Sequence, residues 1–237
     1  MIACVTGADR GLGRAITEQL LAGGCQVFAG RYGIEPQLLD NLKAHYGDKL
    51  QIIPLDVSQD ASVQAAAEKI SRQTDRLDVL INNAAVLGQE ATLTEALDFQ
   101  EMLTVYNVNA VGPLRVSKAM LDLLARGSKK LILNVSSGAG SMAHKIENNI
   151  VNRYAYCGSK AALNVQSIML QNQVRQKGIR VYLLEPGWMR TYMTGEKAAH
   201  ADVEPEVTAA KIWEFIGRNK LPDYLFHDLY ADQPYPW

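Results

Sequence analysis

The sequence predicts an α/β fold with a doubly wound, mostly parallel sheet, and three observations support this prediction. Short apolar segments alternate along the chain with longer segments whose apolar residues recur at helical spacing. A glycine-rich turn directly follows the first apolar segment. The length of 237 residues suits one sheet-based domain, because such domains often reach about 200–250 residues. We therefore expect residues 1–237 to form a single domain with a seven-stranded sheet flanked by helices.

The apolar segments predict the strands in chain order. They are Ile2–Thr6, Gln26–Ala29, Leu50–Pro54, Val79–Asn82, Lys130–Val135, Arg180–Glu185 and Asp223–Leu225. Helical spacing is clearest in four other segments, which are Gly13–Ala22, Ser62–Arg72, Tyr106–Ala125 and Tyr156–Lys177. Two long stretches fit neither pattern, and we expect Ser141–Arg153 and Thr191–Glu206 to be lids or binding loops.

The charge balance excludes some classes of function. The chain has 24 Lys and Arg residues against 25 Asp and Glu residues, which gives a formal net charge of -1. This balance provides no electrostatic reason to bind nucleic acid or an anionic membrane. No apolar run approaches the ~18 residues that a membrane span needs, and the first residues resemble a strand, not a signal peptide.

Residues that form disulfides and metal sites are few and scattered. The three cysteines form no Cys-x-x-Cys pair, and no two of the four histidines are spaced i, i+4. We therefore expect no disulfide framework, no metal site and a reducing, cytoplasmic compartment. The residues concerned are Cys4, Cys25, Cys157, His45, His144, His200 and His227.

The turn after the first strand has the sequence Thr6-Gly7-Ala8-Asp9-Arg10-Gly11-Leu12-Gly13. In a doubly wound sheet this position lies at the carboxyl ends of the strands, where ligands bind. Glycines allow a tight turn and a close approach of the backbone to a pyrophosphate, while the start of the helix offers free N–H groups. The turn therefore predicts a nucleotide site, and the alternative is a plain connection between strand and helix.

The spacing Gly-x-x-x-Gly-x-Gly after Thr6 differs from the Gly-x-Gly-x-x-Gly dinucleotide fingerprint. It resembles the short-chain dehydrogenase/reductase family, whose further motifs occur in family order from residue 6 to residue 191. The resemblance implies a Rossmann-type domain that binds a nicotinamide cofactor and transfers a hydride.

The segment after the second strand indicates which cofactor is bound. An acidic residue there accepts a hydrogen bond from the ribose of NAD, whereas a basic residue neutralises the 2′-phosphate of NADP. The chain has Arg31 at this place and no acid before Glu35. The family resemblance adds Arg10 as a second cation, and guanidinium groups pair well with phosphate. We therefore predict NADP(H); the alternative for Arg31 is a solvated loop residue.

Three further motifs match the family where it contacts the cofactor. The resemblance assigns Asp56 to the adenine and Thr191, with the backbone of Met189, to the nicotinamide carboxamide. Asn82-Asn83-Ala84-Ala85 resembles the family's Asn-Asn-Ala-Gly, in which the first asparagine braces the sheet; ordinary turn chemistry is the alternative. The cofactor-binding residues implied are Thr6, Gly7, Asp9, Arg10, Gly11, Leu12, Gly13, Arg31, Asp56, Val57, Asn83, Ala84, Tyr156, Lys160, Pro186, Gly187, Met189 and Thr191.

Tyr156 and Lys160 are four residues apart, so on a helix their side chains share one face. A phenol with a pKa near 10 is a poor acid–base catalyst at neutral pH, and a nearby cation lowers the pKa of Tyr156 toward the working range. The pair predicts an acid–base site. A pair that only packs on a helix surface is the alternative, because Tyr-x-x-x-Lys is common by chance.

The family resemblance supplies two more catalytic residues. It assigns the catalytic serine to Ser137, with Ser136 as the alternative, and it assigns Asn109 to a water that relays protons to Lys160. The separation of Ser137 from Tyr156 is longer than in most compact members, and the excess falls within Ser141–Arg153. Candidates for the substrate pocket are Met142, Tyr154, Trp188, Tyr192 and Met193, although such residues are more often core. His144 is a further candidate for substrate contact.

The extra loop, Pro186-Gly187-Trp188 and the segment Pro234–Trp237 resemble the carbonyl-reductase branch that contains the sniffer and C-factor (C-signal) proteins. We therefore predict an NADPH-dependent reductase, reversible as an alcohol dehydrogenase, with a small carbonyl or alcohol substrate. A catalytically silent NADP(H)-binding sensor or signalling protein is the alternative. A sugar-nucleotide epimerase is disfavoured because its Thr-Gly-x-x-Gly-x-x-Gly turn is absent. The resemblance also implies a homodimer or homotetramer.

Overall fold

The computed structural model describes residues 1–33, 36–148, 150–191 and 201–237. Within this part of the chain the strands are β1 (Ile2–Val5), β2 (Gln26–Arg31), β3 (Leu50–Pro54), β4 (Val79–Asn82), β5 (Leu131–Val135), β6 (Arg180–Glu185), β7 (Phe226–Asp228) and β8 (Gln233–Pro234). They form one sheet in the order β3-β2-β1-β4-β5-β6-β7-β8. The pairs are parallel except the last, β7 with β8, which is antiparallel.

The mostly parallel, doubly wound sheet is confirmed, and two details of the strand prediction are wrong. The seventh strand begins at Phe226 and not at Asp223, because the Phe226 side chain is the one that enters the core beside Leu183. The sheet of the described residues has eight strands and not seven, since Gln233–Pro234 adds a short antiparallel edge. An exposed two-residue strand has no periodicity that a sequence can show.

The helices of the described residues cover both faces of the sheet. They are α1 (Gly11–Ala22), α2 (Pro36–Tyr46), α3 (Asp60–Ser71), α4 (Phe99–Tyr106), α5 (Gly112–Arg126), α6 (Met142–Glu147), α7 (Tyr154–Val174) and α8 (Pro205–Gly217). A π-helical segment, Asn107–Val111, joins α4 to α5. All four predicted helical segments are confirmed. The stretch Ser141–Arg153, predicted to be irregular, contains α6, whose first turn is capped by the Ser141 hydroxyl.

Strand side chains alternate between two apolar layers, as a sheet covered on both faces requires. Ala3 and Val5 of β1 enter the layer formed with α1, α2 and α8, whereas Cys4 enters the layer formed with α3, α5 and α7. No helix in the described residues is long and apolar enough to cross a membrane.

Chain order reverses between β1 and β4, which are neighbours in the sheet. The chain leaves β1 toward β2 on one side and leaves β4 toward β5 on the other, so a crevice opens at their carboxyl ends. A buried polar chain braces the sheet below this crevice. Asn82 Nδ2 donates to Asn134 Oδ1 at 2.8 Å, and Asn134 Nδ2 donates to Ser167 Oγ on α7 at 2.8 Å. This bracing is the structural role that the resemblance implies for Asn82.

Candidate functional site

The crevice brings the glycine-rich turn after β1 against the loop after β4. The Thr6 hydroxyl accepts hydrogen bonds from the backbone N–H groups of Asn83 and Ala84, both at 3.0 Å. The Asn83 side-chain amide donates to the carbonyl oxygens of Thr6 at 3.0 Å and Gly7 at 3.1 Å. The predicted residues Thr6 and Asn83 therefore fasten the two loops to each other.

Two glycines of the turn allow a backbone approach that a side chain would prevent. Gly7 has a φ of +62°, and a Cβ added there would lie 2.8 Å from the Cα of Ala84. A Cβ added to Gly13 would lie 2.0 Å from the Gly7 carbonyl oxygen. Arg10 caps α1 without a side-chain hydrogen bond among the described residues, and Leu12 is buried in the core. The first turn of α1 thus offers backbone N–H groups to an anionic ligand.

The Asp9 side chain binds backbone groups of the protein itself. Its carboxylate accepts hydrogen bonds from the backbone N–H groups of Tyr32 at 2.8 Å and Gly33 at 3.2 Å. The side chain therefore fixes the loop that follows β2, immediately after Arg31. The predicted contact of Asp9 with a cofactor stays a prediction.

A cleft of about 500 Å³ lies at the carboxyl ends of β2 and β3, where the resemblance places the adenosine end of a cofactor. It is lined by Arg31, Tyr32, Gly33, Pro54, Leu55, Asp56 and Ser62. The Arg31 guanidinium lies 3.1 Å from the Asp40 carboxylate. Asp56 Oδ1 accepts from the backbone N–H and the hydroxyl of Ser58. Of the two predicted arginines, Arg31 lines the cleft and Arg10 is not among its described lining residues. Val57 is buried beside Gly112.

Asn109 is buried in the π-helical segment and contacts two separate elements. Its Oδ1 accepts from the Val86 N–H at 2.8 Å, and its Nδ2 donates to the Val86 carbonyl at 2.7 Å and to Ser159 Oγ at 3.1 Å. The side chain thereby ties the loop after β4 to α7. The predicted water relay to Lys160 stays a prediction.

The two serines after β5 face different surroundings. The Ser136 hydroxyl is buried and donates to Asn164 Oδ1 at 2.6 Å. The Ser137 hydroxyl accepts from the Ala139 N–H at 3.1 Å, and the Ser137 side chain lies close enough to the phenol of Tyr156 to lower its pKa. Ser137 is therefore the serine that lies beside Tyr156, and its catalytic role stays a prediction.

Tyr156 and Lys160 lie one turn apart near the start of α7. Lys160 is 3% exposed, and its Nζ donates to the Val135 carbonyl at 2.8 Å and lies 5.7 Å from the centroid of the Tyr156 ring. Burial lowers the pKa of Lys160 to about 8, while the negative charge of Glu185 opposes this shift. The ammonium group is therefore poised to change its charge near the physiological range.

The pKa of Tyr156 differs from the prediction that Lys160 lowers it. Burial raises the pKa of Tyr156 to about 12; the hydrogen bond with Ser137 opposes the shift and the charge of Glu185 adds to it. Desolvation of the phenolate therefore dominates. The phenol holds its proton at neutral pH in this structure.

Glu185, the last residue of β6, belongs to none of the motifs that predict the site. Its Oε2 is buried with no hydrogen-bond partner among the described residues. Burial raises the pKa of Glu185 to about 7; backbone N–H groups of Gly138 and Gly187 and the Lys160 charge lower it, while Asp228 raises it. A glutamate at the carboxyl end of a strand, directly before Pro186-Gly187, is the sequence signal that points to it.

The loop after β6 reaches across the crevice. Gly187 has a φ of +75°, and the Pro186 carbonyl accepts from the Thr208 hydroxyl at 3.2 Å. Met189 forms a bridge with Val203. A Cβ added to Gly11 would lie 3.6 Å from Cγ2 of Thr191, so the predicted Thr191 lies next to the glycine-rich turn. The predictions for Tyr192, Met193 and His200, like Glu35, lie outside the described residues.

Tyr235 and Trp237 contact the extra loop, Ser141–Arg153, which contains α6. The Ala143 N–H donates to the Trp237 carbonyl at 2.7 Å, and the His144 ring lies 6.2 Å from that of Tyr235. The predicted pocket residues Met142, Tyr154 and Trp188 are exposed. Among the described residues there is no group of three His, Cys, Asp or Glu side chains that could hold a metal ion.

A family model for short chain dehydrogenase matches residues 1–202. C-signal of Myxococcus xanthus is 40% identical over 125 residues, which cover 53% of this chain and 73% of C-signal. The 17-beta-hydroxysteroid dehydrogenase type 6 of Homo sapiens is 31% identical over 192 residues, which cover 80% of this chain and 57% of that enzyme. The chain thus spans little more than half the length of this second relative.

Two solved structures share the fold over nearly the whole chain. The NADPH-bound carbonyl reductase from chicken fatty liver has a TM-score of 0.88 at 29% identity, covering 99% of this chain and 98% of that one. The carbonyl reductase Sniffer of D. melanogaster has a TM-score of 0.87 at 26% identity, covering 100% and 98%. The resemblance to the branch that contains sniffer and C-signal is therefore confirmed.

Proposed function

The chain belongs to the short chain dehydrogenase family, and from this premise we propose that it is an NADP(H)-dependent oxidoreductase that interconverts a carbonyl compound and an alcohol. The observation that carries the proposal is the convergence of Ser137, Tyr156 and Lys160 at the carboxyl end of β5. We also propose that residues 1–237 form one cofactor-binding domain.

The chain's own residues fit NADP(H). Because Gly7 and Gly13 carry no side chain, the backbone of the turn is open to a pyrophosphate. The first N–H groups of α1 would bind this group. Arg31 would neutralise the 2′-phosphate from the cleft that it lines with Asp56. Thr191, opposite Gly11, would hold the nicotinamide carboxamide. The NADPH bound to the chicken-liver carbonyl reductase supports the same choice of cofactor.

Bound NADPH would supply a hydride to the carbonyl carbon. Tyr156 would donate its phenolic proton to the carbonyl oxygen, and a pKa of about 12 keeps that proton in place at neutral pH. Ser137, in contact with the phenol, would donate a hydrogen bond to the same oxygen. The ammonium of Lys160 would stabilise the phenolate that forms and hold the ribose hydroxyls, with Asn109 completing the proton relay.

Exposed apolar side chains support two finer parts of the proposal. Met142, Tyr154 and Trp188 are exposed and belong to the chain segments that contain Ser137, Tyr156 and Gly187, so they suit a substrate with an apolar substituent. A second exposed apolar set lies on α4, α5 and α7, the helices through which we propose a homodimer or homotetramer forms. Its members are Phe99, Leu103, Leu114, Val165, Ile168 and Met169.

The test is oxidation of NADPH, and separately of NADH, in the presence of a panel of ketones, aldehydes and quinones. We expect turnover with NADPH on at least one of these carbonyl compounds. Calorimetric titration with NADPH runs beside it. Tight NADPH binding without turnover on any carbonyl would favour the catalytically silent sensor, and a preference for NADH would contradict the role of Arg31.

A further inference from the structure

Glu185, at the carboxyl end of β6, faces α7, the helix that carries Tyr156 and Lys160. Leu183 on β6 and Phe226 on β7 pack together with Leu163 of α7. Side chains two residues apart on a strand share a face, so Glu185 and its register partner Asp228 lie on this same α7 side. Glu185 is thus a carboxylate directed toward the helix that carries the acid–base pair.

The surroundings of Glu185 leave part of its hydrogen-bonding capacity unused. Backbone N–H groups of Gly138 and Gly187 interact with the carboxylate, while the buried Oε2 has no partner among the described residues. A buried carboxylate oxygen without a partner is costly, so its presence here points to a use in the site. The mechanism described above gives Glu185 no role.

Lys160 places a positive charge in the protein interior, where its ammonium group needs a partner. Its Nζ donates to the carbonyl of Val135, which lies beside Leu184, the residue before Glu185. The ammonium and the carboxylate are therefore at the ends of adjacent strands. The negative charge of Glu185 raises the pKa of Lys160, and the two side chains form no direct ion pair in this structure. A buried lysine without an opposite charge tends to lose its proton.

We propose that Glu185 is a positioning residue of the active site, and that its carboxylate is the internal counter-charge that keeps Lys160 protonated beside Tyr156. The catalytic consequence rests on the proposed function, whereas the charge pairing itself does not. The other titratable groups facing Glu185 are Tyr156 on α7, Asp228 on β7 and Tyr235 near β8. Each of these groups is neutral or negatively charged, so Lys160 is the cation among them.

The sign of the effect follows from these charges. Above about pH 7 the Glu185 carboxylate is ionised and holds the proton on Lys160, whose pKa is about 8. Glu185→Gln removes the negative charge without a large change of shape. The pKa of Lys160 should then fall, so that Lys160 is mostly neutral at the pH at which the native protein keeps it charged.

The experiment follows Lys160 directly by NMR in protein labelled with ¹³C at the lysine ε-carbon, with the Lys160 signal assigned by its loss in Lys160→Met. We expect the pKa of Lys160 to fall by about one unit or more in Glu185→Gln. Glu185→Asp, which keeps the charge, should restore most of it. The matched control Glu68→Gln changes an exposed glutamate of α3, paired with Arg72 at 3.6 Å, and should leave the Lys160 signal unchanged.

An unchanged pKa of Lys160 in folded Glu185→Gln would overturn the inference. If that variant fails to fold, native protein decides the matter, because the Lys160 signal should show a second inflection near pH 7 as Glu185 ionises; its absence would equally overturn the inference. With an active carbonyl substrate, Glu185→Gln should lower kcat at pH 8 by about tenfold, because less of Lys160 carries the charge that stabilises the Tyr156 phenolate. Absence of turnover in the native protein would defeat the proposed function and leave the titration to decide the charge pairing.

Discussion

The carboxamide of Asn109 binds both polar groups of the Val86 backbone, accepting from its N–H at 2.8 Å and donating to its carbonyl at 2.7 Å. The same amide donates to Ser159 on α7. One side chain therefore sets the position of the loop after β4 relative to the helix that carries Tyr156 and Lys160. Asn109 has a structural task in the site in addition to the proton relay that we propose for it.

Asn109→Ala should lower the free energy of unfolding by about 1–3 kcal/mol, because it leaves the Val86 backbone without its partners in a part-buried setting. Urea denaturation measures this change. Asn41→Ala is the matched control on the exposed side of α2, and we expect a change within about 0.5 kcal/mol. Equal effects of the two variants would show that the Val86 contacts do not stabilise the fold.

Gly7→Ala should cost more than Gly24→Ala, although both glycines have positive φ. Gly24 has a φ of +80° with open space around it, so a methyl group at this position adds only backbone strain of about 1–2 kcal/mol. At Gly7 the new Cβ also meets the Cα of Ala84 at 2.8 Å, which should add about 1–3 kcal/mol and weaken NADPH binding. Denaturation and calorimetry compare the two variants. A Gly7→Ala protein as stable as Gly24→Ala, with native NADPH affinity, would refute the close approach.

Arg31→Ala should weaken NADPH binding by about 10–100-fold and leave NADH binding nearly unchanged, because a charge-assisted bond to the 2′-phosphate is lost. Asp40→Asn removes the ion-pair partner of Arg31 and keeps the guanidinium. We expect this variant to bind NADPH at least as tightly as the native protein. Parallel titrations with both cofactors measure the selectivity, and an equal loss for NADH and NADPH in Arg31→Ala would remove Arg31 from phosphate recognition.

Stability should depend on pH through Glu185. Its pKa is raised from 4.5 to about 7 in the folded protein, so the folded state holds this proton more tightly than the unfolded state. The contribution of Glu185 to the free energy of unfolding is therefore present at low pH and is lost as the pH rises from about 4.5 to about 7, on the order of 2–3 kcal/mol. Denaturation at several pH values should show that Glu185→Gln lacks this fall. Parallel curves for native and variant protein would mean that the carboxyl is not perturbed.

The sequence predicts the longer elements of the fold and fails at the shortest ones. Strands β1 to β6 are predictable because apolar residues dominate each of them and pack into the layers on both faces of the sheet. The run near Phe226 gave the right strand three residues too early, since a three-residue strand is shorter than the pattern needed to fix its register. Helix α6 escaped prediction because its six residues have no buried stripe, and it is fixed by Ser141 and by contacts with distant Trp237.

Site residues in short motifs are predictable from the sequence, whereas those whose role depends on distant residues are not. Gly7, Tyr156 and Lys160 were identified because short spacings carry their motifs. Glu185 was missed because its significance comes from Lys160 on another element. The direction of the Tyr156 pKa was wrong for the same reason: spacing places a cation nearby, while the desolvation that dominates depends on the packed tertiary structure.

The most direct test of Tyr156 as the proton donor compares native protein with Tyr156→Phe for NADPH-dependent reduction of the best carbonyl substrate, with NADPH affinity measured beside it. We expect kcat to fall by about 10²–10⁴-fold while the dissociation constant for NADPH stays within about twofold, because only the proton donor is removed. Tyr46→Phe on α2 serves as the matched control and should keep native turnover. A Tyr156→Phe protein that reduces the carbonyl at close to the native rate would contradict the assignment of Tyr156 as the proton donor.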